Sequence, residues 1–213
     1  MNCCPHCREA DKLFNRRRAA NSLRDYRRRG ADKTTKRMLE AIKSSGVAGM
    51  TLLDIGGGIG VIQHELNAAG VTNITGVDAS AAYLNLARQE ASIRGYVGEA
   101  RYLHGDFVAL ADQVEPADIV TLNRVICCYP YMEALVGAAA ARAKSCLGLV
   151  YPRETWWTKL GIIGLNAFLK LSANPFRNFL HPTSAVEQVI ADNGLHKTFH
   201  HDGPFWQVAM FAR

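Results

Sequence analysis

Leu53–Gly60 reads LDIGGGIG. A hydrophobic run enters it from Met50, and a helical pattern, VIQHELNAAG, leaves it from Val61. The glycines therefore sit where a buried strand turns into a helix, which is a nucleotide-binding position in α/β folds. The spacing then narrows the ligand. A dinucleotide site needs glycine at the third position of G-x-G-x-x-G, and Val61 stands there; a phosphate loop needs Lys and then Ser or Thr, and Val61 and Ile62 follow instead. What is present is Asp54-x-Gly56-x-Gly58-x-Gly60. A carboxylate two residues before the first glycine is wrong for a phosphate and right for a cation.

From Gly49 onward strand and helix patterns alternate. Strands are predicted at 50–55, 74–78, 100–103, 118–122 and 147–151, with helices between them such as SAAYLNLARQEASIRG, which opens at Ser80 as N-cap. A helix at 155–172, a Pro-punctuated loop and a helix at 183–193 ended by Gly194 follow. Two short strands, LHKTFHH and FWQVAMF, close the chain around Asp202-Gly203-Pro204. The expected fold is α/β, Rossmann-like and doubly wound, a mainly parallel seven-stranded sheet with a C-terminal antiparallel hairpin.

The 213 residues, 48% hydrophobic and 21% charged, suit one well-buried domain with a small extension. The net charge of +6 is concentrated: twelve Lys or Arg against four acids lie between Arg8 and Arg37. Residues 1–45 read as a basic helical arm, two amphipathic helices broken at Gly30 with Asp32 or Thr34 as the second N-cap, and residues 46–213 as the main domain with an insertion at 152–182. Such an arm could meet nucleic acid, an anionic membrane surface or an acidic small molecule; without an aromatic ladder, nucleic acid is disfavoured.

No signal peptide is read in MNCCPHCREADKLFNRRR, and WWTKLGIIGLNAFLKL, interrupted by Lys159, Asn166 and Lys170, is too short and too polar to span a bilayer. The expectation is a cytoplasmic protein. Six cysteines, at 3, 4, 7, 127, 128 and 146, include two adjacent pairs, an arrangement that fits a reducing compartment better than a disulfide framework. CCPHC holds a single C-x-x-C, half of a zinc site at best, so no metal is assigned. His64, Glu65, His200 and His201 read as packing, solvent-facing or structural residues.

With these motifs in hand, the chain resembles the class I S-adenosylmethionine (SAM)-dependent methyltransferases. The resemblance implies SAM as cofactor, held by Asp54, Gly56, Gly58 and Gly60, with Asp54 on the ammonium group through water. It implies that Asp78, ending ITGVD, and the adjacent Ala79 meet the ribose. Asp106 and Phe107 of HGDF would meet the adenine, and Asn123, in ADIVTLNRVICCYP, lies in the loop facing the methyl group. Within that superfamily the chain is similar to the magnesium-protoporphyrin O-methyltransferases, through LRDYRRRGADKTT, Tyr129-Pro130, VYPRETWW and NPFRNFLHP. That likeness implies an assisting arm tyrosine, Tyr26, and a histidine directly before Tyr-Pro, where this sequence has Cys128.

The departure at Cys128 points away from a carboxylate acceptor. Methyl transfer is an in-line displacement that chiefly needs alignment and exclusion of water, so an ionised thiol or sulfide needs little further help. The expectation is S-methylation of sulfide, a small thiol or a thiol-bound metalloid, with Tyr26, Cys128 and Tyr129 on the acceptor side. Carboxyl O-methylation of a porphyrin-like molecule is the alternative, and an RNA-binding methyltransferase the second.

Overall fold

The computed structural model describes residues 5–96 and 98–213; Cys3 and Cys4 of the CCPHC motif lie outside them. Three helices come first, α1 (Pro5–Leu13), α2 (Arg16–Arg29) and α3 (Lys33–Lys43). The arm thus breaks twice, where the sequence reading had one break. The additional break falls at Asn15, whose side chain accepts hydrogen bonds from the Arg17 and Arg18 amides and so caps α2. Asp32 caps α3 through the Thr34 and Thr35 amides.

The alternating part runs β1 (Thr51–Ile55), α4 (Val61–Asn67), β2 (Asn73–Asp78), α5 (Ala81–Arg94), β3 (Ala100–His104), α6 (Phe107–Leu110), β4 (Ala117–Asn123), α7 (Met132–Arg142) and β5 (Ala143–Pro152). It ends in α8 (Trp156–Leu171), α9 (Thr183–Asp192), β6 (His196–Asp202) and β7 (Trp206–Ala212). The seven strands form one sheet in the order β3-β2-β1-β4-β5-β7-β6. β7 pairs antiparallel with both β5 and β6, and the other pairings are parallel. The strand order reverses between β1 and β4, and a crevice opens at the carboxyl ends of strands at such a switch point.

Strand parity sorts the core into two layers. Leu52, Ile74, Ile119, Val150 and Val208 face α3 and α4, which bring Met38, Leu39, Ile42, Ile62 and Leu66. Leu53, Ile55, Val120, Leu122 and Leu149 face the other way, toward α7 and α9 with Leu135, Val136, Val186 and Ile190. Each such fully buried side chain contributes about 1.5–3 kcal/mol of hydrophobic burial. The arm is built into these layers: α3 belongs to the first, and α2 packs on α5 through Leu23 and Tyr26.

Candidate active site

The glycine turn after β1 holds its shape by sterics as well as by dihedral angles. Gly56 has φ 63°, and a Cβ there would lie 2.4 Å from a Val125 methyl. A Cβ on Gly57 would lie 2.3 Å from Asp54 Oδ2 and 2.6 Å from Gln63 Nε2. Both positions therefore demand glycine, the first for conformation and both for space.

Around this turn a cavity of about 350 Å³ is lined by Gly56, Gly58, Asp78, Ala79, Asp106 and Phe107 on one side. Asn123, Arg124, Val125, Cys128 and Tyr129 line it from the β4 loop, and His6, Cys7, Ala10 and Phe14 cover it from α1. The volume lies at the small end of the roughly 300–1,000 Å³ typical of ligand pockets.

Asp78 ends β2 with Oδ2 accepting from the Gly58 amide (2.8 Å) and Oδ1 from the Ser80 amide (2.7 Å). Burial raises its pKa above the usual carboxylate range, against the pull of those amides. Asp106 receives the Tyr129 hydroxyl on both oxygens, at 3.0 Å each, and caps α6 through the Val108 amide. Phe107 is buried beside it. Asn123 donates to Thr35 Oγ1 (3.0 Å), while its Oδ1 is buried and has no hydrogen-bond partner.

The loop after β4 carries an unusual backbone. Arg124 has φ 63°, a left-handed conformation that costs a non-glycine residue about 1–3 kcal/mol. Its amide donates to Val150 O (2.8 Å), its guanidinium pairs with Asp32 (2.6 Å), and its charge lies 5.1 Å from the Trp206 ring centre. The turn points the Arg124 carbonyl at two thiols, Cys127 Sγ (3.5 Å) and Cys128 Sγ (3.6 Å). The hydrogen bond with the Cys127 sulfur and burial push the Cys128 thiol well above the usual thiol range. Cys128 is thus a protonated, polarizable piece of wall.

Three of the residues expected at the site stand off the cavity wall. Asp54 shares a strand face with Leu52, so it turns toward α4 and away from the cavity. It is fully buried, accepts from Thr121 Oγ1 (2.7 Å) and Gln63 Nε2 (3.0 Å), and burial pushes its pKa up to about 6. Gly60, with φ 83°, opens α4 against Gln63 and His64 and is absent from the cavity wall. Tyr26 is also absent from that wall: α2 carries it onto α5, where its hydroxyl donates to Glu65 (3.0 Å) and its ring stacks on His64 beneath Arg94.

His6 and Cys7, the imidazole and one of the thiols of CCPHC that an arm folding over the cleft would bring close, are wall residues; Phe14, which the sequence did not single out, joins them. The His6 ring stacks on Phe176 (5.0 Å between centres) and meets Phe179 edge-on. It is hydrogen-bonded to the Cys128 backbone, and Nε2 is buried with no hydrogen-bond partner. A ring that donates one N–H to a carbonyl keeps a lone pair on its other nitrogen. Burial lowers the His6 pKa below its ordinary value, so the imidazole is neutral at pH 7. Among the described residues no group of three or more His, Cys, Asp or Glu is placed to hold a metal.

Residues 52–147 match a family described as a methyltransferase domain. The chain carries a class I, SAM-dependent methyltransferase domain. Sequence comparison with curated proteins returns no match. Among solved structures, this methyltransferase is similar to magnesium protoporphyrin IX methyltransferase from Synechocystis PCC 6803 with bound S-adenosylhomocysteine. The TM-score is 0.73 at 19% identity, over 98% of this chain and 99% of that one. A TehB-like SAM-dependent methyltransferase from Corynebacterium glutamicum matches with TM-score 0.64 at 16% identity, over 93% and 97% of the two chains. A structure described for the conversion of a disulfide bond into a thioacetal group during echinomycin biosynthesis matches with TM-score 0.60 at 17% identity, over 82% and 80%.

The methyltransferase's own residues fit the cofactor. A side-chain-free cradle at Gly56 and Gly58, a buried carboxylate at Asp78 and an aromatic at Phe107 share one cavity. This set suits a ligand with hydroxyls, a flat ring and no phosphate. Gly56 and Gly58 would back the cofactor, Asp78 would accept from its ribose hydroxyls, and Asp106 and Phe107 would border its adenine.

Proposed function

We propose that this methyltransferase acts on a small acceptor that still carries its proton at neutral pH, namely sulfide or a thiol, and that His6 takes that proton. The observation that carries this reading is that His6, a wall residue of the small cavity together with Cys128, is neutral and has a buried Nε2 without a hydrogen-bond partner. SAM supplies an electrophilic methyl group on a sulfonium. A carboxylate acceptor is already ionised at pH 7 and needs no base, whereas a thiol with a pKa of about 8.5 does. Arg124 on the cavity wall favours the thiolate once formed. Cys7 and Cys128 line the same wall with soft, polarizable groups. The fold likeness to a protein of sulfur chemistry in echinomycin biosynthesis agrees with this reading. The adjacent Cys127-Cys128 pair forms no disulfide, an arrangement that supports a reducing compartment such as the cytoplasm.

The second reading, carboxyl O-methylation of a porphyrin-like molecule, is favoured by the end-to-end likeness to the Synechocystis enzyme. Two features weigh against it. Cys128 stands where that family's histidine is expected, and a cavity of about 350 Å³ holding the cofactor leaves little room for a macrocycle. Incubation with SAM and sulfide, methanethiol, larger thiols or magnesium protoporphyrin separates the readings if demethylated cofactor and methylated product are followed together. Methanethiol formed from sulfide, or a thioether formed from a thiol, supports the proposal; turnover on the porphyrin alone overturns it.

A further inference from the structure

We infer that α8 is an interfacial anchor that lies flat on an anionic membrane surface, with its apolar face in the lipid and Lys159 and Lys170 at the waterline. The buried residues of α8 are Thr158, Ile162 and Leu169, one narrow stripe that holds the helix to the protein. The opposite side carries Trp156, Trp157, Leu160, Ile163, Phe168 and Leu171, exposed by 45–88% of their surface. At 100° per residue these side chains fill a sector roughly 140° wide, and both lysines fall on one edge of it. A contiguous apolar face of this size on a protein surface marks an interaction site.

The occupant follows from the charge around the face. Between Glu154 and Glu187 the chain has no acidic residue, but it has Lys159, Lys170 and Arg177. The segment after α8 reaches toward α1: Pro175 lies with Arg8, with the Lys12–Glu9 pair (2.9 Å) and with the exposed Tyr131 around one surface depression, where Arg8 is left as the unbalanced charge among the described residues. A protein partner would match an apolar helix with a counter-face and paired acids. A headgroup layer matches it with a fluid apolar interior, interfacial tryptophans and attraction to Lys and Arg. No helix among the described residues is long and apolar enough to cross a membrane, and α8 at 16 residues would rest in the interface. Leu169 and Phe176 also pack against Ala10 of α1, so the anchor adjoins the helix that covers the cavity.

The test is cosedimentation of the full chain with phosphatidylcholine vesicles, with and without phosphatidylglycerol, at low and high salt. The tryptophan emission of the same samples is recorded. The expected result is binding to the anionic vesicles that added salt weakens, with a blue-shifted emission. Leu160→Glu/Phe168→Glu should weaken partition by about tenfold or more. Both positions are exposed, so this variant should keep wild-type SAM affinity, which shows that it is folded. Lys159→Ala/Lys170→Ala should reduce the salt dependence. Absence of vesicle binding in a chain that forms a dimer, dissociated by Leu160→Glu/Phe168→Glu, would overturn the inference in favour of a second copy. Absence of both, or vesicle binding that the Glu variant leaves unchanged, would overturn it outright.

Discussion

Replacing His6 by Gln removes the basic ring nitrogen from the cavity wall residue and keeps a side chain able to donate to the Cys128 backbone. If His6 takes the acceptor's proton, the size of the defect can be worked out. A thiol with a pKa of about 8.5 is roughly 3% ionised at pH 7, so a base that supplies the thiolate gains at most about 30-fold there. At about pH 9.5 the thiol is roughly nine-tenths ionised without help, and the gain falls close to one. The His6→Gln variant should therefore lose up to about 30-fold in kcat/KM at pH 7 and nearly nothing at pH 9.5, with SAM affinity unchanged by calorimetry. The wild-type acid limb follows from the sign of the shift. Because burial lowers the His6 pKa, the base stays neutral through pH 7, and activity falls only below the ordinary histidine range. A deficit that is constant across pH would make His6 a packing residue, and an undiminished rate at pH 7 would refute the assignment.

Asp78→Ala strips the acceptor from the Gly58 and Ser80 amides and should weaken SAM binding by about tenfold or more in titration calorimetry; unchanged affinity would sink the ribose assignment. Gly57→Ala would force a methyl to within 2.3 Å of the buried Asp54 carboxylate. It should cost about 1–3 kcal/mol of stability, a drop of several degrees in Tm by calorimetry. Asp54→Asn tests the scaffold role of that carboxyl. Its folded pKa of about 6 lies above the unfolded value, so its contribution is fully present below about pH 4 and is lost as pH rises through about 6. The amide variant escapes that loss, with Gln63 turned so that its unpartnered Oε1 accepts from the new amide. It should gain on the order of 2 kcal/mol over wild type at pH 8 and nothing at pH 4, with little change in SAM affinity; an equal effect at both pH values, or lost cofactor binding, would contradict this.

Much of the fold was legible because its signals are local. The glycine run, the strand and helix periods and the Asp202-Gly203-Pro204 turn each depend on neighbours in sequence, and they give the seven-stranded sheet and its hairpin. Asp78 was legible as the last residue of a strand, and Asp106 through the likeness of HGDF to the family's motif; both stand on the cavity wall. The direction of Asp54 was available in the sequence, since parity with Leu52 puts it on the α4 side, but its partners Gln63 and Thr121 were not. Tyr26 depended on how the arm packs, and the Asn15 cap hidden in an arginine-rich run changed that path. His6 reaches the cavity because α1 folds back against Phe176, a long-range contact that no spacing announces. The left-handed Arg124 is held by Asp32, Val150 and Trp206, partners far apart in the chain.

The central claim is that this methyltransferase alkylates sulfur. The most direct measurement supplies SAM labelled with carbon-13 in its methyl group, together with an equimolar mixture of a small thiol and magnesium protoporphyrin at pH 7, and reads the product methyl by NMR. A thioether methyl resonance that fades with His6→Gln is the predicted result. A methyl ester resonance, with the thiol left unmodified, would contradict it.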